Sequence, residues 1–155
     1  MSEDLKNDFR TNGQDLLGYD EYDVLRDLIK LFDEDNYQIV VKKHPTEKEN
    51  KYECICDRLK YLDQIKVEDL SLISSKIIGM MSMLLIELSM YRNDIISYRP
   101  KAKDSFIGDE IGVIIKATDI DSIKQALHKK SITSVKFKNS FIGSRERILN
   151  YLNKT

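Results

Sequence analysis

The chain has 155 residues, 41% hydrophobic and 33% charged, a balance that belongs to a folded domain rather than a disordered segment. Its net charge of −1 offers no field that would gather nucleic acid or an anionic membrane surface. Residues 77–91 form the longest mainly apolar run, too short to cross a bilayer and interrupted by Glu87, so no transmembrane segment is predicted.

The opening MSEDLKNDFR is polar where a signal peptide needs an apolar stretch, and a cytoplasmic protein is expected. Cys54 and Cys56 stand one residue apart, with only His44 and His128 available to complete a metal site. That set fits neither a zinc site nor a redox CxxC pair, so no metal and no cofactor are expected.

Asp20 is placed to cap a helix in which Val24, Leu25, Leu28, Ile29 and Phe32 recur at helical spacing. The acidic Glu21 and Asp23 at its start suit the positive end of the helix dipole. YQIVVKK, residues 37–43, reads as a strand that Pro45 stops just beyond His44. TEKENKYECICDRL reads as loop with at most a turn or two of helix; QIKV is a short strand candidate, and EDLSLI a short helix begun by Asp69.

KIIGM, residues 76–80, reads as a buried strand, followed by a helix over 82–91 that is apolar on nearly every side and is expected in the interior. DIISY is a strand ended by Pro100, KAKDSFIGDEI a loop, GVIIKA a strand and DIDSIKQALHKK an amphipathic helix. SVKF is ambiguous, and Ser144 is placed to cap a last helix carrying Ile148, Leu149, Tyr151 and Leu152. One domain over 1–155 is expected, with a polar lead-in over 1–18, a core over 18–116 and C-terminal helices over 117–155. Short β-branched strands alternating with helices predict an α/β, doubly wound, Rossmann-like parallel sheet.

In open parallel sheets, ligands sit beyond the carboxyl ends of the strands. KKHP, GMMS and YRP each follow such an end. Ser82 either caps its helix or, with the amides of Met83 and Leu84, holds a phosphate. Glu87 either binds ribose hydroxyls or forms an ion pair. His44 is either a turn histidine before Pro45 or a donor to phosphate and a departing group. The basic stretch 124–138 lacks interleaved aromatics apart from Phe137 and reads as a solvated helix face rather than a nucleic-acid surface.

VVKKHP followed by DLSLISSKIIGMMSMLLIELSMYRNDIISYRP resembles the C-terminal, donor-binding half of GT-B glycosyltransferases over roughly residues 18–116. It looks most like the bacterial sialyl- and polysialyltransferase-type enzymes with an HP motif and a serine motif; sugar-nucleotide 2-epimerases share a related serine-to-glutamate spacing. The resemblance implies that His44, in the His44–Pro45 motif, contacts the donor phosphate and helps the nucleotide leave. It further implies that Ser82 and Met83 bind phosphate at a helix N-terminus and that Glu87 binds the ribose. The implied donor is a nucleotide sugar, CMP-sialic acid first and UDP-sugars second, held without metal.

YRND stands where many relatives carry Gly-Lys-Pro. The first, central strand of the half-fold, in the order 3-2-1-4-5, is expected to be missing, as is the acceptor-binding half. A truncated donor half, inactive alone, is therefore predicted. Its neighbouring strands close up, or the start segment QDLLGY fills the slot, or a separate N-terminal half or a second copy completes the sheet. The alternative is a non-catalytic interaction or remnant protein that keeps the half-fold and binds no nucleotide.

Overall fold

The computed structural model describes residues 10–11, 14–15, 17–32, 37–45, 47–48, 50–53, 55, 59–62, 64–102, 105–131 and 143. The expected final helix after Ser144, the SVKF segment and both cysteines lie outside them.

A small antiparallel hairpin opens the described chain, β1 (Arg10–Thr11) with β2 (Gln14–Asp15). Helix α1 (Glu21–Phe32) follows, and Asp20 caps it by accepting from the backbone N–H groups of Tyr22 and Asp23 at 2.9 Å each. Val24, Leu25, Leu28 and Phe32 form its buried stripe. Strand β3 (Val40–Val41) pairs in parallel with β4 (Lys60–Tyr61). β5 (Ile77–Gly79), β6 (Ile95–Tyr98) and β7 (Ile115–Ala117) make a second parallel sheet in the order β5-β6-β7. Helices α2 (Val67–Ile73), α3 (Met83–Leu88), α4 (Ile107–Glu110) and α5 (Ile120–Leu127) alternate with these strands. The protein is a mixed α/β structure built on small parallel sheets.

Neighbouring residues of β6 point to opposite faces, and the core divides accordingly. Ile96 and Tyr98 pack with Val24, Leu28 and Phe32 of α1 and with Ile123 and Ala126 of α5. Ile95 packs with Leu85, Ile86 and Leu88 of α3 and with Phe106, Val113 and Ile114 around α4. The sheet is covered on both sides, which is why every residue of β6 is buried. A third cluster joins Leu25 of α1 to Val41, Tyr52 and Leu59.

Several local expectations are corrected. QIKV is not a strand: Ile65 N–H donates to the Leu62 carbonyl at 3.3 Å and closes a turn, and the strand lies earlier, at β4. The next helix begins at Val67 after Lys66, which makes no side-chain cap; Asp69 lies inside its first turn, where its charge suits the dipole. The predicted loop 101–111 contains α4, which the buried Phe106 anchors by packing into the core. The helix after Ser82 ends at Leu88, and its Met83 and Glu87 face outward, so it is not an interior helix.

YRND has a structural task. Arg92 Nη2 pairs with Asp94 Oδ2 at 2.5 Å, and the same guanidinium donates to the carbonyls of Ser71, Ser74 (2.6 Å) and Ser75 (3.1 Å). An arginine thus closes the C-terminal end of α2, where carbonyls lack intrahelical donors. The hydrogen bond from Arg92 holds the Asp94 carboxyl below the usual carboxylate range, against partial burial.

Tyr98 illustrates how the sheet grips α1. Its hydroxyl donates to Asp27 Oδ2 at 2.7 Å, and burial, with that hydrogen bond and the Asp27 charge, pushes its pKa well above the ordinary tyrosine value. The unfolded chain releases this proton near pH ~10 while the folded chain keeps it, so stability falls as pH rises beyond that point. Denaturation followed from about pH 9 to 11 is expected to show this decline, and Tyr98→Phe to flatten it.

Candidate functional site

The five residues singled out from sequence fall at two strand ends. β3 runs out into Lys42, Lys43 and His44, with Pro45 in the turn beyond. His44 is exposed, and its loop is held from behind by Glu47. Glu47 Oε2 accepts from the His44 backbone N–H at 2.7 Å, and its Oε1 accepts from the Tyr52 hydroxyl at 2.6 Å and from Lys51 Nζ at 2.7 Å. Lys51 Nζ also stands 2.7 Å from Glu21 Oε1 of α1, an ion pair without hydrogen-bond alignment. The three side chains are all but closed to solvent: Lys51 is 9% exposed, Glu21 1% and Glu47 0%.

At the other strand end, β5 leads through Met80 and Met81 to Ser82, the N-cap of α3. Ser82 Oγ accepts from Leu84 N–H at 3.3 Å, so the capping reading of this serine holds. Leu85, Ile86 and Leu88 turn inward, while Met83 (62% exposed) and Glu87 stand four residues apart on the solvent side. Gly79 permits this packing: a Cβ there would come within 2.9 Å of the Leu85 side chain. Glu87 makes no hydrogen bond or ion pair through its carboxylate among the described residues, so the ion-pair alternative does not apply. Ser82→Ala is expected to cost about 1 kcal/mol of stability by loss of the cap, measurable by urea denaturation.

The third strand end, beyond β6, is structural. Arg99 is wholly buried; it pairs with Asp109 of α4, its Nε donates to Ser97 Oγ at 3.1 Å, and it lies 5.7 Å from the Phe106 ring centroid. Ser97 in turn donates to the Met80 carbonyl at 2.5 Å, tying β6 to the start of the Ser82 turn. The sequence places YRP, with KKHP and GMMS, at strand ends suited to a ligand, and predicts neither this pair nor the Glu47 clamp. The clamp had a visible signal, a glutamate three residues after His44, the spacing of a capping box.

A cleft of about 190 Å³ lies between residues 37–42 and 76–80, and none of His44, Pro45, Ser82, Met83 and Glu87 lines it. Among the described residues no group of His, Cys, Asp and Glu side chains could hold a metal ion, and no helix is long and apolar enough to cross a membrane. No family model matches the chain, and no curated protein or solved structure matches it.

Proposed function

We propose that the protein is a nucleotide-sugar-binding domain of the GT-B donor-half type, built on a doubly wound sheet, with the site at the ends of β3 and β5. The carrying observation is the face beside Ser82: a capped helix start with Met83 and Glu87 outward and Glu87 unengaged. A carboxylate there can accept from two ribose hydroxyls, and helix-start amides suit a phosphate. His44, on a loop anchored by Glu47, would meet the phosphate from the β3 side and donate to a leaving nucleotide. Pro45 fixes the turn that presents it. CMP-sialic acid is the first donor to test and UDP-sugars the second.

Transfer needs donor and acceptor positioned together, so donor binding rather than turnover is the readout that tests this reading. Calorimetric titration with CMP, UDP and their sugars is expected to give saturable binding that weakens about tenfold or more in Glu87→Ala and in His44→Ala. A flat titration overturns the reading.

A further inference from the structure

Three turns leave the carboxyl edge of the β5-β6-β7 sheet side by side. Gly79 of β5 stands opposite Ser97 of β6, and Tyr98 of β6 opposite Ala117 of β7. Ser82, Lys101 and Thr118 therefore follow neighbouring strand ends at one edge, where adjacent strands lie about 5 Å apart. Arg99, the first residue past β6, is structural, but Lys101 two residues on is placed differently. Its backbone N–H donates to the Thr118 carbonyl at 3.0 Å, and Ala102 N–H donates to the Arg99 carbonyl at 3.1 Å. Lys101 holds φ at 58°, a left-handed value that residues other than glycine rarely adopt. With Pro100 before it, the pattern is that of a type II turn, whose third position favours glycine. Pro100 is buried and Lys101 exposed, so a stiff, anchored turn presents a lysine where glycine would sit without strain.

We propose that Lys101 is the cation that meets the donor phosphate, from the β6 side of the Ser82 turn. The inference rests on the nucleotide-sugar reading and supplies the charge partner that reading lacks. A phosphate near Glu87 brings two negative groups together, so a cation is needed close by. Helix α3, MLLIEL, carries none. The other cations at or near the strand ends are taken. Arg99 pairs with Asp109, Arg92 pairs with Asp94, Lys43 lies 5.5 Å from the Tyr61 ring centroid, and Lys42 is already engaged. Lys101 makes no hydrogen bond or ion pair through its side chain among the described residues. Asp119, the acid at the next strand end, does not claim it: that carboxylate caps α5, with Oδ1 accepting from Ser122 N–H at 2.7 Å. A lysine ammonium is a compact point charge, which suits a phosphate approached from one side.

The test is calorimetry of the whole chain with CMP and, separately, with cytidine, which lacks the phosphate. Lys101→Met removes the charge and keeps the bulk; it is expected to weaken CMP about tenfold or more and cytidine by less than about twofold. Lys101→Arg keeps the charge and is expected to hold CMP within about threefold of the unaltered chain. Lys101→Gly is expected to weaken CMP as methionine does while raising the thermal midpoint by a few degrees, because glycine takes a positive φ without strain. Binding and stability then move in opposite directions, which a lysine that only supports the turn would not produce. The inference is overturned if Lys101→Met binds CMP as the unaltered chain does, or if CMP and cytidine weaken equally. In either case a loss of CMP binding in Glu87→Ala and His44→Ala leaves the nucleotide-sugar reading standing. A flat titration of the unaltered chain overturns that reading and this inference together.

Discussion

Arg99→Met is expected to lower folding stability by about 3–5 kcal/mol, the usual result of removing one partner from a buried ion pair. The guanidinium is closed to solvent, and Asp109, its partner on α4, is only 10% exposed. Methionine matches the bulk of arginine, so loss of packing contributes little and the cost falls on the carboxylate left behind. Arg99→Lys is expected to recover only part of the loss, because an ammonium cannot reach Asp109 and Ser97 Oγ from one planar group as arginine does. Pairing Arg99→Met with Asp109→Asn is expected to restore much of the stability, and a denaturant series on the four proteins measures it. A single-mutant loss below about 1 kcal/mol would mean that the pair behaves as a surface contact.

Lys51→Met has an expected cost of similar size, about 3–5 kcal/mol, through a different arrangement. Here one ammonium stands between Glu21 and Glu47, both nearly solvent-free, so its removal leaves two carboxylates facing each other. Glu21→Gln added to Lys51→Met is expected to recover part of the loss. The lysine also joins the loop after β3 to the start of α1, so exchange of the His44 amide should quicken in Lys51→Met. If stability falls while that amide stays protected, the clamp supports α1 and not the loop.

How much of this was legible in the sequence depended on how local the cause was. Asp20, Ser82 and the amphipathic stripes of α1 and α5 were readable because caps and helical periodicity are set within a few residues. The strands at 95–98 and 77–79 were readable because they are β-branched and continuous. By contrast, β4 at Lys60–Tyr61 is two residues long, polar on its surface, and exists because β3 offers it an edge. Helix α4 depends on Phe106 joining the core cluster of Val113, Ile114 and Ile95, a packing that no local pattern encodes.

The same division explains the site. Which residues occupy the strand ends was visible, and capping was one of the two readings open for Ser82. That Glu87 points outward was not, because the apolar text around it suggested an interior helix. Its orientation follows from Leu85, Ile86 and Leu88 taking the buried face, which leaves the positions of Met83 and Glu87 on the opposite side. The two ion clusters escaped because their members meet only in the folded chain: Lys51 finds Glu21 thirty residues away, and Arg99 finds Asp109 on a helix that was expected to be loop.

Helix α1 belongs to two assemblies at once. Val24, Leu28 and Phe32 rest on the β5-β6-β7 unit, Leu25 rests on the β3 side, and the Tyr98–Asp27 bond pins the helix to β6. It therefore works as a strap between two sheets that share no ladder among the described residues. Loosening α1 would slacken the joint between the two sheets while leaving the strand ladders of the described residues intact.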